Sequence, residues 1–276
     1  MTDNPWAQMS VEDARAYDQR KEHSQSAYLV QIKRGIILSM MKKYLPRRST
    51  LPILDLVGGT GIWAIPLARM GYRVILGDIS ESFLAVAQEK IAHEQLTEMI
   101  ECRCLDMVDL SCFPDNAFGL VLALGDPLSY CSDFARAVEE IYRVLAPTRY
   151  LVGDVENKFA GINARRAHTW SDVKRILETG EARWGHWQQN AAVHQFDKLR
   201  LEQLFSTRTW QLLHLYPSDL IVEMIGDEFL NQLIRDENGT INEKILQEMT
   251  RLETRLRTDS TLLGTGAEIQ FVVKKV

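Results

Sequence analysis

The chain has no excess of positive charge: 32 Lys and Arg stand against 37 Asp and Glu, a formal net charge of −5. Proteins held by phosphate backbones or anionic lipid carry the opposite balance, so neither nucleic acid nor membrane is expected as a partner. No apolar run approaches the roughly 20 residues of a membrane-spanning helix. The opening Met1-Thr2-Asp3-Asn4-Pro5-Trp6 lacks the basic-then-apolar pattern of a secretory leader. Cysteine is scarce: Cys102, Cys104, Cys112 and Cys131 in 276 residues, far too long a chain to depend on disulfide staples. They are expected as buried or half-buried reduced thiols of a cytoplasmic protein. Cys102 and Cys104 have no matching Cys or His pair, and His168, His186 and His194 lack i, i+4 spacing, so no metal site is expected. Internal repeats and low-complexity tracts are also missing. With 46% hydrophobic and 25% charged residues, the composition is that of an ordinary folded chain.

What is present is an alternation. Residues 11–45 carry apolar positions at helical spacing (Ala16, Tyr28, Ile32, Ile36, Ile37, Met40) and end at Pro46. Leu51–Leu56 reads as a strand, then a Gly-rich turn, then a helix to Met70 and a strand over Tyr72–Gly77. Ser80 is placed to cap the next helix. Strands are expected at Ile100–Leu105, Phe118–Leu124 and Tyr150–Val155, with a helix at 133–145 stopped by Pro147. Parallel strands joined by helices give a doubly wound α/β sheet. After residue 157 the rhythm breaks. Two helix-like pieces, three of the six Trp (Trp170, Trp184, Trp187) and three of the six His fall there before a helix at Leu199–Phe205. A strand at Thr209–Tyr216, helices over 219–257 broken at Glu237-Asn238-Gly239, and a strand at Ala267–Val273 complete the reading.

The turn Val57-Gly58-Gly59-Thr60-Gly61 is the most informative stretch. Glycine lets the backbone bend sharply and approach a ligand, and the helix that follows offers free N–H groups to an anionic group. Asp78, 17 residues after Gly61 at the end of the next strand, is placed to accept hydrogen bonds from two ribose hydroxyls. A dinucleotide fingerprint would need glycine where Ile62 stands. Asp55-Leu56-Val57-Gly58-Gly59-Thr60-Gly61 instead resembles the acidic-x-G-x-G-x-G signature of class I S-adenosylmethionine-dependent methyltransferases, with Val57 in the first glycine position. Arg143-Val144-Leu145-Ala146-Pro147 resembles the helix ending of the family's small-molecule, UbiE-like (type 11) branch, with Thr148-Arg149 in place of its Gly-Gly.

The resemblance spans about residues 51–156 and implies a Rossmann-like, seven-stranded, mostly parallel sheet with the last strand antiparallel. It implies S-adenosylmethionine as cofactor and S-adenosylhomocysteine as product. Its implied cofactor contacts are Asp55, Val57, Gly58, Gly59, Gly61, Asp78, Ile79, Asp106, Met107, Leu124 and Gly125. Asp126 ends the fourth strand on the face where such sheets bind ligands, and with His186 is a candidate for proton handling. Loop capping is the alternative for Asp126. Tyr17 and Tyr28 on the N-terminal helix, and Trp184 and Trp187 with Trp170 and Phe196, are candidate acceptor contacts in an aromatic lid; packing on the sheet is the alternative for each.

The expected organisation is one domain over 1–276: a helical cap (1–50), a cofactor core (51–156), a substrate-side insertion (157–198) and C-terminal strands and helices (199–276). The expected activity is methyl transfer to a small apolar or aromatic molecule. Gly125-Asp126-Pro127-Leu128 lacks the aromatic of the tetrapeptide used for base amino-methylation. A protein or RNA acceptor, and cofactor binding without transfer, are the competing readings. The helical C-terminal stretch leaves a homo-oligomer open.

Overall fold

The computed structural model describes residues 5–23, 27–45, 51–162, 169–183, 192–235 and 239–276. After a 3-10 turn at Pro5–Gln8 come helices α1 (Val11–His23) and α2 (Ala27–Met41). The cofactor-type core follows as β1 (Ile53–Leu56), α3 (Ala64–Arg69), β2 (Val74–Asp78), α4 (Glu81–His93), β3 (Ile100–Cys104), β4 (Phe118–Ala123), α5 (Pro127–Tyr130), α6 (Phe134–Val144) and β5 (Leu145–Glu156). Then come α7 (Lys158–Gly161), α8 (Trp170–Thr179), a hairpin of β6 (Glu181–Arg183) and β7 (Ala192–His194), and α9 (Lys198–Phe205). The chain closes with β8 (Trp210–Ser218), α10 (Leu220–Ile225), α11 (Asp227–Ile234), α12 (Glu243–Leu256) and β9 (Glu268–Lys275).

Seven strands form one sheet in the order β3-β2-β1-β4-β5-β9-β8. All run parallel except β9, which pairs antiparallel with both β5 and β8. This is the doubly wound sheet with an antiparallel insertion that the sequence implied. Its strands are legible because they are buried on both faces: β1 and β4 have no residue outside the interior. Successive side chains serve opposite layers. Leu54, Leu56, Val121 and Ala123 pack with α6 and α9, while Ile53, Leu120 and Leu122 pack with α2, α3 and α4.

Four readings need correction. The 11–45 helix is two helices, so the cap has two separate faces. Pro147 follows the end of α6, as expected, but it lies within β5, which starts earlier than Tyr150: Phe118 pairs with Leu145 and Leu120 with Tyr150, so residues 146–149 bulge out of register. A proline without an N–H is tolerated at such a bulge, and Thr148 takes a left-handed φ of 61° there, where the family's glycine would sit. The insertion contains the β6–β7 hairpin, whose three-residue strands carry too little alternation to read. Cys104 and Cys112 are exposed, on an edge strand and a loop, while Cys102 is half-buried and Cys131 buried; all four are free thiols. No helix among the described residues is long and apolar enough to cross a membrane.

Candidate functional site

β1 delivers Asp55 to the carboxyl edge of the sheet, and the chain then folds back on itself. Val57, Gly59 and Gly61 all have left-handed φ, at 60°, 55° and 85°. The Gly61 N–H donates to the Gly58 carbonyl at 3.0 Å and the Gly58 N–H to Gly77 of β2, also at 3.0 Å. A side chain at Gly58 would come within 2.8 Å of an Asp55 carboxylate oxygen, so glycine there is what allows Asp55 to lie under the turn. At Gly59 an added carbon would meet nothing within 4 Å: the turn's outer face borders open space.

Asp55 is 1% exposed, and neither carboxylate oxygen has a well-aligned hydrogen-bond partner among the described residues. Burial pushes its pKa up to about 7; the nearby Ala64 amide works against this and the Asp78 charge adds to it. Asp78, 3% exposed at the end of β2, accepts from the Gly59 and Ser80 amides at 2.9 Å each. Burial raises its pKa to about 6 despite those amides. Asp78 therefore ties the glycine turn to the start of α4, which Ser80 caps as the sequence predicted.

A second group of acids stands across the same edge. Gly125 and Asp126 follow β4 with left-handed φ of 96° and 61°, and an added carbon at Gly125 would also meet nothing within 4 Å. Both of their amides donate to Oδ1 of Asp154 on β5, at 2.7 and 2.9 Å. Oδ1 of Asp126 is buried without a hydrogen-bond partner among the described residues. Glu268 begins β9, and Asp126, Asp154 and Glu268 place carboxylate oxygens within 4.8 Å of one another. Lys33 reaches them from α2, 3.1 Å from Asp154 Oδ2 and hydrogen-bonded to Glu268. Burial, and next the Glu268 and Asp154 charges, drive the Asp126 pKa well above the usual carboxylate range. For Lys33, burial acts to lower the pKa, but Asp154 and Glu268 outweigh it and hold it well above normal.

The cap also touches the glycine turn. The Thr60 hydroxyl donates to Oδ1 of buried Asp18 on α1, and Lys90 of α4 pairs with the same carboxylate at 2.9 Å. Tyr17 packs edge-on against Phe83 of α4 at 5.2 Å and against Trp6 at 6.0 Å, and Trp6 in turn meets Tyr130.

A glycine turn over a buried orphan acid, a second acid on the next strand, and a third group after β4 form a recognised combination. Residues 53–148 match the family model described as a methyltransferase domain. That stretch, from β1 into β5, is similar to a methyltransferase domain. A demethylmenaquinone methyltransferase of Lactiplantibacillus plantarum is 39% identical over 107 residues, 38% of this chain and 44% of that protein. The chain thus spans under half the length of that relative. Among solved structures, an S-adenosylmethionine-dependent methyltransferase from Methanosarcina mazei superposes with a TM-score of 0.60 at 17% identity, covering 86% of this chain and 97% of that one. The [4+2]-cyclase SpnF superposes with a TM-score of 0.56 at 17% identity, over 87% of this chain and 80% of that one. Such likenesses carry the fold; the chemistry is read from the site.

The sheet gathers Asp55, Val57, Gly58, Gly59, Gly61 and Asp78 at one end of β1 and β2, and Leu124, Gly125 and Asp126 beside them after β4. The residues fit S-adenosylmethionine: an orphan carboxylate lies beneath the turn, and open space borders Gly59 and Gly125. Ile79 is half-buried. Asp106 folds onto its own loop, accepting from the Val108 amide at 3.1 Å, and Met107 is in the packed layer with Leu56 and Leu128.

Of the four aromatic-lid candidates two are described, and one of them, Phe196, is a core residue rather than a pocket wall. Phe196 is fully buried in the core, where its ring packs against Phe134, and Trp170 is 71% exposed at the start of α8. Apolar content alone does not distinguish a core position from a pocket wall. Trp184, His186 and Trp187 lie outside the described residues, as does the side chain of Tyr28. His194 packs edge-on to Phe134, its pKa lowered by burial and by Arg200. Sequence reading missed Asp18, Lys33, Asp154 and Glu268. One signal was available for Asp154: like Asp55, it is a lone acid in an apolar strand run.

Val57 is the departure from the family glycine, and it carries the left-handed backbone with a β-branched side chain, a conformation that costs on the order of 1–3 kcal/mol. Its side chain is half-buried against the β1–β4 layer, which offsets part of that cost. Val57→Gly is therefore expected to shift unfolding by less than about 1 kcal/mol and to leave S-adenosylmethionine affinity within a few-fold. Calorimetric titration checks it; a tenfold loss would show that the valine side chain itself contacts the cofactor.

Proposed function

We propose that this protein transfers a methyl group from S-adenosylmethionine to a small acceptor with an apolar or aromatic body. The observation that carries the reading is the pairing of two unfilled features on one sheet edge: the orphan Asp55 under an open glycine turn, and the orphan Asp126 oxygen after β4. S-adenosylmethionine supplies a methyl carried on a sulfonium, already electrophilic. The protein's part is to bind, align and handle one proton.

Asp78 is assigned to the ribose hydroxyls, since its oxygens keep lone pairs beyond those given to Gly59 and Ser80. Asp55 balances positive charge at the turn. Asp126 Oδ1 takes the proton the acceptor loses, a role suited to a carboxylate whose pKa is raised. The Lactiplantibacillus relative, named for a demethylated quinone, favours an aromatic ring as acceptor. The single domain with a helical cap and a substrate-side insertion is part of this proposal, as is the absence of a nucleic-acid partner, which the net charge of −5 supports.

Titration of the protein with S-adenosylmethionine and with NAD tests the cofactor. Binding of the first alone is expected; binding of NAD alone would overturn the reading. Incubation with S-adenosylmethionine and a panel of quinols, phenols and aromatic amines, followed by mass detection of methylated product, tests the transfer. Cofactor binding with no product from any small acceptor, and product from added protein or RNA, would replace this acceptor class.

A further inference from the structure

Three carboxylates within 4.8 Å describe a place for a cation, and here the cation is supplied by the chain itself. Lys33 comes from the cap helix α2, far from β4, β5 and β9 in sequence, and its side chain is only 16% exposed. It pairs with both Asp154 and Glu268. It is hydrogen-bonded to Glu268 and lies 3.1 Å from Asp154 Oδ2, and the other oxygen of Asp154 is the one that receives the Gly125 and Asp126 amides.

These contacts run in series. Gly125 and Asp126 both hold left-handed backbone, and in that turn their two amides converge on the one oxygen. Asp126 is not glycine, so that conformation is held against a steric penalty. The convergence is strong only while Asp154 is a carboxylate, because hydrogen bonds to a charged acceptor are roughly twice as strong as neutral ones. Asp154 is fully buried, and burial pushes it towards the protonated acid. Lys33 is the opposing influence: its charge is the largest effect favouring the ionised form.

We propose that Lys33 is a positioning residue of the acceptor site: its ion pair favours the carboxylate form of Asp154, and Asp154 in turn holds the Gly125–Asp126 backbone so that Asp126 faces the acceptor. The proposal rests on the methyl-transfer reading only for its effect on turnover. The linkage from Lys33 to the loop stands on the geometry alone. It also gives the N-terminal cap a chemical duty on the acceptor side. The groups that face Asp126 are Lys33 on α2, Asp154 and Glu156 on β5, and Glu268 on β9, with Asp219 at the end of β8 facing Lys33 and Asp154. Arg257, hydrogen-bonded to Gln270 of β9, and Glu253 line the small cavity beside Lys33 and Asp219, so removing Lys33 takes away the cation that pairs directly with Asp154 and Glu268.

The test uses the full chain with Lys33→Met, Lys33→Arg and the charge-balanced pair Lys33→Met/Glu268→Gln, the last to protect folding. Carboxyl carbon and amide NMR of the cofactor-free protein is read across pH. In Lys33→Met, protonation of Asp154 should move up by roughly one to two pH units. The Gly125 and Asp126 amide resonances should titrate with it. Lys33→Arg should restore the wild-type midpoint. Where transfer is measurable, the acid limb of kcat should move to higher pH with the S-adenosylmethionine Kd held within a few-fold. Unmoved loop amides in a folded Lys33→Met or Lys33→Met/Glu268→Gln protein would overturn the proposal. So would an Asp154 midpoint independent of residue 33. Absence of any transfer in the wild type, with the NMR linkage intact, would count against the methyl-transfer reading and leave this one standing.

Discussion

Asp78→Ala is expected to weaken S-adenosylmethionine binding ten- to a hundredfold. Hydrogen bonds to a charged acceptor contribute roughly 1.5–3 kcal/mol, and the carboxylate proposed to meet the ribose is lost outright. The Gly59 and Ser80 amides lose their partner too, so the glycine turn and the start of α4 loosen together. Asp78→Asn separates the two effects. It retains an oxygen for one amide and should keep the thermal transition near wild type while still losing most of the affinity. The wild-type affinity should rise with pH through about 6, where Asp78 becomes ionised, since the charged form is the better acceptor. Asp78→Asn should lose that inflection. Calorimetric titration from pH 5 to 8, with thermal unfolding alongside, reads all of this. A variant that binds as tightly as wild type would remove Asp78 from the cofactor site.

Asp55→Asn is expected to pull stability and binding in opposite directions. The Asp55 pKa is raised to about 7 in the folded protein, and an unfolded aspartate titrates near 4. A carboxyl that binds its proton more tightly when folded contributes stability that is fully present below the unfolded pKa. That contribution is lost as pH climbs through the folded one. The cofactor-free protein should therefore become less stable between about pH 4 and 7, with this group alone contributing on the order of 2–4 kcal/mol. Asp55→Asn removes the buried charge, so at pH 8 the cofactor-free variant should unfold later than wild type. It should also bind S-adenosylmethionine more weakly, having lost the charge that balances the ligand's positive group. Denaturant unfolding at pH 5 and pH 8 provides the check. A variant less stable than wild type at pH 8 would show that Asp55 braces the turn as a charged group even without ligand.

The cofactor half of the site was legible because its determinants are local. Asp55 to Gly61 is a single turn, Asp78 ends the next strand, and both rest on buried parallel strands whose apolar runs are hard to mistake. The acceptor half draws on separate parts of the chain. Lys33, Asp126, Asp154 and Glu268 come from α2, the end of β4, β5 and β9, and no spacing rule links them. The two metal-type patterns in the sequence, Cys102 with Cys104 and the three histidines from 168 to 194, use residue types that the charged cluster does not contain. Tryptophan was weak evidence for an acceptor pocket, because a Trp at a helix start can stand in solvent, as Trp170 does. Phe196 shows the converse: in sequence it belongs to the insertion, but its ring completes the core beneath α6 and α9.

The strand order has a further consequence for how the molecule is made. β9 lies between β5 and β8, although it follows both along the chain. During synthesis β8 emerges with no neighbour to pair with, and β5 presents an open edge until Glu268–Lys275 has left the ribosome. Unpaired edges of this kind invite wrong partners. A premature stop anywhere before Glu268 would thus strip two strands rather than one, and would take with them the Glu268 partner of Lys33. The fold and the acceptor site are completed by the same eight residues.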